Sequence, residues 1–441
     1  MYLPEEVLYC IQTLENAGFS AYAVGGCVRD ALLGRTPQDY DLCTEATPSQ
    51  ICQLFSRHNL VLAGEKHGTI GVVIGHRVYE ITTYRTEGSY ADSRHPDWVE
   101  FVDTAEADLA RRDFTVNAMA YSPTRGLCDP FGGRQDLQQG ILRAVGDPIL
   151  RFREDALRIL RGVRFSARYG LIPEERTLQA MLTLRPLLDH LARERVFEEV
   201  SKLLLCTDAA CLQRFAPILA SAIPELTATI GFDQKNRHHC YDIFTHTAHV
   251  VACVPPTLPL RWAALLHDVG KPGCFSLDKQ GQGHFYGHAQ AGADMANEIL
   301  LRLKAPTALR EQVVTLIGYH MSPIVGERKS VRRWLSRLGI DTFEQLLLLQ
   351  QADMGSKGTP ADDYQFSQLR TLAQQLQSEN ACLTVRQLAL SGHDLMALGY
   401  RGPAIGQAQR YLLDMVLEEK VENTAEALTT LLAAQQGGHH G

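Results

Sequence analysis

Asp39 and Asp41 stand two apart in a segment, Tyr40 to Cys43, that reads as a strand, so both carboxylates are expected on one face. Two carboxylates side by side repel unless a cation lies between them, and hard oxygen ligands suit Mg²⁺. Glu80, at the parity of Val78 and Thr82 on a later strand candidate, offers a third carboxylate. Such a set suits phosphoryl transfer in which one metal activates an attacking hydroxyl and a second holds a triphosphate. Gly25 and Gly26 follow the strand candidate Phe19 to Val24 and lead through Cys27, Val28, Arg29 and Asp30 into a short helix. Glycines there let backbone N–H groups approach phosphate oxygens, and Arg29 adds positive potential. A tight turn and a solvated acidic edge use the same residues, so neither feature decides the function alone.

A second set of ligand types lies further on: His246, the pair His267 and Asp268, His288, His320 and Asp353. The pair follows the apolar run Trp262 to Leu266, so its side chains start from a rigid helix and need partners inside the fold. Imidazole with carboxylate suits a divalent transition metal. His238, His239, His249 and His284 fall outside this pattern and are expected to be surface or structural residues, and His439 and His440 to belong to a frayed tail.

The elements that must position these groups change character along the chain. Up to about residue 148, short helices alternate with strand candidates at Phe19 to Val24, Tyr40 to Cys43, Leu60 to Ala63, Ile70 to Ile74 and Val78 to Tyr84, the last two joined at Gly75 and His76. From Ile149 the apolar spacing becomes helical, as in Leu157, Leu160 and Val163. The fold class expected is α+β: a small mixed-sheet head over residues 1–148, followed by a helical neck (149–235), a histidine-rich helical domain (236–356) and a helical C-terminal region (357–441). Polar, turn-forming clusters at Gly231 to Asn236 and Ser356 to Ala361 mark the later boundaries.

With 441 residues the chain exceeds one ordinary core, and 45% apolar with 21% charged residues is a globular composition. No apolar run reaches the roughly 18 residues that span a bilayer, no export signal opens the chain, and 11 scattered cysteines without a CxxC pair fit reduced thiols. A cytoplasmic location without membrane contact is expected. The net charge of −7 sits badly with a nucleic-acid partner unless local charge carries the contact. Between Arg143 and Arg168, Arg143, Arg151, Arg153, Arg158, Arg161, Arg164 and Arg168 face only Asp147, Glu154 and Asp155.

Taken as one string, GGCVRDALLGRTPQDYDLCT resembles the signature of the polymerase-β-like nucleotidyltransferases, in the branch that holds bacterial CCA-adding enzymes and poly(A) polymerases. Arg111 to Met119 is similar to that family's ribose and triphosphate motif, which implies nucleotide contacts by Arg112 and Asp113. Asp129 to Gly133 is similar to its third motif. Glu154 to Arg161 is similar to the motif that reads the incoming base, which implies base contacts by Asp155 and Arg158 and triphosphate contacts by Arg161 and Arg164. Three apart on a helix, Asp155 and Arg158 would be neighbours on one face, presenting acceptors beside a donor fork. C and A both offer an amino group beside a ring acceptor, so such a pair suits either and mismatches G and U. Leu191 to Phe197 resembles the helical motif that braces the base-reading helix.

The resemblance implies addition of CMP and AMP from CTP and ATP to the 3′ end of tRNA. Thr86 to Asp97 looks like the flexible loop of full CCA-adding enzymes, and Leu388 to Gly406 like their tRNA-binding C-terminal module. Poly(A) polymerase, or another A-adding enzyme of the family, is the near alternative. The sequence LLHDVGKP resembles the HD metal-dependent phosphohydrolases, so a hydrolase acting on RNA ends or nucleotides is the alternative of another class.

Overall fold

The computed structural model describes residues 1–87, 99–236, 240–357 and 363–437. The chain folds as two compact units, residues 1–230 with 299–305 and residues 231–298 with 306–441.

In the first unit, α1 (Glu5–Asn16) leads into β1 (Ala21–Val24) and α2 (Gly26–Leu32). Then come β2 (Asp41–Thr44), α3 (Pro48–Leu54), β3 (Asn59–Val61), β4 (Thr69–Ile74), β5 (Arg77–Thr83), β6 (Arg85–Glu87) and β7 (Val99–Phe101). After α4 (Ala105–Ala110), β8 (Ala120–Ser122) and β9 (Gly126–Cys128) complete a sheet of order β3-β4-β5-β2-β1-β8-β9. It is mixed, because β2 pairs parallel to β5 and antiparallel to β1. Strand β1 starts later than expected. Ser20 donates its N–H to Glu45 and accepts from the Thr44 hydroxyl, so side chains take the place of ladder bonds there.

Asp39 does not share a strand with Asp41: it lies in the loop before β2, and Asp41 opens the strand. Of the segment Thr86 to Asp97, Thr86 and Glu87 close β6, and residues 88–97 lie outside the described residues. His238, His239, His439 and His440 lie outside them too.

Helices follow α5 (Gly133–Gln139): α6 (Pro148–Glu154), α7 (Leu157–Tyr169), α8 (Glu175–Leu184) and α9 (Arg193–Leu204). The second unit is helical apart from a two-residue strand pair, Ser276–Leu277 with Gly283–His284. Its C-terminal part has its own core, in which Leu390, Leu395, Leu412, Val416 and Leu428 are buried together. All 11 cysteines are unpaired, and no helix among the described residues is long and apolar enough to cross a membrane.

Candidate active site and candidate metal centre

The end of β1 turns through Gly25 into α2, with Gly25 at φ +77°. Glycine suits this corner because any side chain would strain the backbone at that φ, and a Cβ would also push the end of the Arg112 side chain, 2.6 Å away, aside. Val24 pairs with Asp41 across β1 and β2, so the glycine turn and the first carboxylate sit at one sheet edge. Ile81 of β5 pairs with Leu42, which brings Glu80 beside Asp41. Both are exposed, whereas Leu42, Tyr79 and Ile81 between them are buried. Asp39, Asp41 and Glu80 line one groove of about 500 Å³.

Asp39 and Asp41 also line a cleft of about 640 Å³, whose walls include Gly26, Arg29, Arg112 and Asp113. Asp155, Arg158, Arg161 and Arg164 line the same cleft, so every nucleotide-binding candidate in the sequence is brought together there. The surrounding protein desolvates Asp41 and raises its pKa, while Arg112 lowers it and Asp39 raises it further. A carboxylate so placed gains from a bound cation, and the oxygen-only donor set fits Mg²⁺.

The arginines are held rather than loose. Asp108, fully buried, accepts from Arg111 at 2.8 Å and from Arg112 at 3.4 Å. Asp113 accepts from Phe114 N–H, Asn117 Nδ2 and Arg161. Burial pushes the Asp113 pKa up, but Arg161 and the Asn117 amide outweigh it and hold the carboxyl down at about 2. Asp113 is thus committed to the protein itself, through Phe114, Asn117 and Arg161. Arg164 pairs with buried Glu199 at 2.6 Å.

Asp155 and Arg158 are not the helical pair that their spacing suggests. Helix α6 stops at Glu154, and Asp155 is extended at φ −145° and ψ 104°. Its Oδ1 accepts from Leu157 N–H, which starts α7, and its Oδ2 accepts from Arg195 at 2.9 Å. Arg158 turns instead to Glu154 at 2.6 Å and to the carbonyl oxygens of Arg151 and Arg111. Both still line the cleft. Arg111 and Arg195 line it as well, beyond the residues expected. Arg195 lies in the bracing motif, and a helix face rich in charge gives no sign of which acid forty residues away it will meet.

In the second unit, six ligand types converge from five helices or their ends. His246 lies within Ile243–Cys253, His267 and Asp268 just past Leu258–Leu266, His288 at the start of His288–Arg302, His320 just past Thr307–Tyr319, and Asp353 near the end of Arg328–Gly355. All six are buried. His267, His288 and His320 each bond a backbone carbonyl three residues back through Nδ1, at 2.8, 2.6 and 2.6 Å. That directs each Nε2 towards the cluster, and the Nε2 atoms of His288 and His320 are buried without a hydrogen-bond partner among the described residues, while that of His267 faces Asp268. Asp268 stands 3.2 Å from His267 and 3.5 Å from His288, and Asp353 stands 2.9 Å from His246.

Burial disfavours charge on His288 and on His320, whose pKa falls to about 4. Burial opposes charge on His267 too, but Asp268 outweighs it. Ligand atoms of His246, His267 and Asp268, and likewise those of Asp268, His288 and His320, lie within 4.8 Å of one another. Unpartnered imidazole nitrogens around a carboxylate are a donor set suited to a divalent transition metal. His249 stacks on Tyr241 and His284 pairs with Asp278, both outside this cluster.

Residues 21–143 match the Poly A polymerase head domain, residues 170–214 a probable RNA and SrmB-binding site of polymerase A, and residues 244–357 the HD domain. The chain is 46% identical over 211 residues to a CCA-adding enzyme of Leuconostoc mesenteroides, covering 47% of this chain and 52% of that one. It is 43% identical over 225 residues to a CCA-adding enzyme of Geobacillus stearothermophilus, covering 51% and 53%. The matched regions therefore span about half the length of these curated relatives. A crystal structure of the Bacillus stearothermophilus CCA-adding enzyme in complex with CTP superposes with a TM-score of 0.74 at 29% identity, covering 100% of this chain and 99% of that one. With matches to a Poly A polymerase head, a probable RNA-binding segment and an HD domain in succession, the chain is similar to CCA-adding enzymes over about half of their length.

Proposed function

We propose that this protein adds CMP and then AMP, from CTP and ATP, to the 3′ end of tRNA in the cytoplasm. The observation that carries the reading is the single cleft in which Asp39 and Asp41 share walls with Arg29, Arg112, Arg158, Arg161 and Arg164. A nucleoside triphosphate needs that combination: cationic side chains for its phosphates, and carboxylates for the metal that accompanies them. The relatives named as CCA-adding enzymes, one solved with CTP, support the choice of nucleotides and acceptor.

Asp39 and Asp41, with Glu80 beside them, would hold Mg²⁺. The metal, when bound, supplies a lower pKa for the attacking 3′-hydroxyl and charge neutralisation at the leaving pyrophosphate. Arg29 and Arg112 bind phosphate oxygens near the Gly25–Gly26 turn, and Gly26 leaves the backbone open to them. Arg161 and Arg164, fixed by Asp113 and Glu199, set the far wall of the cleft. Asp155 and Arg158 face the base, one accepting from its amino group and the other donating to its ring nitrogen. The direct test supplies tRNA lacking its 3′ end with labelled CTP, ATP, GTP or UTP and sizes the products. CMP and AMP addition is expected. Tails of AMP alone would point to the A-adding alternative, and no addition would sink the reading.

Nucleotide choice gives a sharper outcome. Replacing both Asp155 and Arg158 with Ala is expected to relax the exclusion of UTP and GTP, because a mismatched buried donor or acceptor costs roughly 1–3 kcal/mol. Unchanged preference in the double variant would place recognition elsewhere.

The HD cluster is read as a separate metal centre, with His246, His267, Asp268 and Asp353 as ligands and His288 and His320 able to complete a second site around Asp268. His267→Ala combined with Asp268→Ala should lower bound transition metal, and any phosphohydrolase activity on RNA ends or nucleotides, while CMP and AMP addition persists. Metal analysis of protein checked by circular dichroism measures this. A metal-free wild type with every activity identical in the folded variant would leave the HD segment as a scaffold.

A further inference from the structure

We propose that Tyr169 is a positioning residue for nucleotide addition, acting through Arg29. The inference rests on the nucleotidyltransferase reading and goes beyond it in naming a group outside the cleft that sets the shape of the cleft. Arg29 lines the cleft but is only 6% exposed. Its Nε and Nη2 donate to Asp30 Oδ1 at 2.9 and 2.8 Å, and Nη1 donates to Asn117 Oδ1. Nη2 also donates to the Tyr169 hydroxyl at 2.5 Å, and the guanidinium carbon lies 4.2 Å from the centroid of the Tyr169 ring. In-plane hydrogen bonds fix the rotation of the guanidinium, and the ring fixes its plane.

Tyr169 is the last residue of α7, the helix that carries Arg158, Arg161 and Arg164. Its ring therefore ties the base-reading helix to the glycine-turn helix α2, 140 residues apart in sequence. Arg35 and Arg168 approach the same ring at 5.1 and 5.6 Å. Three guanidinium groups repel one another, and the negative face of one aromatic ring offsets that repulsion, which an aliphatic side chain of equal size cannot do.

The test is steady-state addition of CMP and AMP by the full chain carrying Tyr169→Ala, Tyr169→Phe or Tyr169→Leu, alone and with Arg29→Ala. Tyr169→Ala is expected to raise KM for CTP and ATP about tenfold with kcat changed less than about threefold, while Tyr169→Phe, which keeps the ring, stays within about threefold of wild type. Tyr169→Leu, which fills the space without a π face, should behave like Ala and covers the case in which Ala does not fold. In the Arg29→Ala background, Tyr169→Ala should add nothing to KM. Wild-type KM in folded Tyr169→Ala or Tyr169→Leu protein, or additive effects in the double variant, would overturn the positioning role alone. Failure of the wild-type chain to add any nucleotide would overturn it together with the reading beneath it.

Discussion

Asp41→Asn is expected to slow CMP addition at least about a thousandfold in Mg²⁺, because losing a metal-binding carboxylate removes several kcal/mol of transition-state charge stabilisation and each ~1.4 kcal/mol is tenfold. The fold should survive, since Asp41 is exposed at the first position of β2 and receives no hydrogen bond that the sheet requires. Asp39→Asn should act in the same direction. Rapid-quench assays with thermal unfolding measure both effects. Ordinary turnover by folded Asp41→Asn protein would remove the carboxylate from the reaction.

The second large effect is on stability. Asp113 is buried and answers three donors, so Asp113→Ala leaves the Phe114 N–H and the Asn117 amide without their acceptor, while Arg161, about one-third exposed, is released towards the cleft. A buried donor left without its partner costs about 1–3 kcal/mol, and solvent screening keeps the added cost at Arg161 small. Acid should act on the same group. With its pKa lowered from 3.8 to about 2, Asp113 stabilises the fold above about pH 4, and this contribution disappears as the pH falls towards 2. The full linkage is worth ~2 kcal/mol. Asp113→Asn keeps the shape without the charge, so its stability should fall less steeply than that of wild type between pH 4 and pH 2. Equal acid slopes in urea titrations of the two proteins would refute the assignment.

Much of the site is legible in the sequence because its chemistry imposes residue types at short spacing. A corner at positive φ favours glycine, which is why Gly25 can be read directly. Carboxylates able to share a cation must be near neighbours, as Asp39 and Asp41 are, and a candidate metal cluster needs imidazoles and carboxylates on helices that return to one point. The change from alternating elements to helical spacing near Ile149 likewise follows from local periodicity, and β4 and β5 form the hairpin expected at Gly75 and His76.

What the sequence by itself determined, then, is the inventory: two glycines, the acidic pair, the arginines of the neck and six candidate HD ligands. Tertiary structure alone decided who meets whom. Asp155 pairs with Arg195 and not Arg158, Arg161 with Asp113, Arg164 with Glu199, and Arg29 with Tyr169. Guanidinium groups are long and multidentate, so any of several acids can satisfy each one equally well at the level of sequence. The choice falls to backbone features such as the break at Asp155, where α6 ends and the carboxylate is turned away from its helical neighbour. Burial then makes that choice costly to undo, because a charge inside the protein cannot exchange its partner for water.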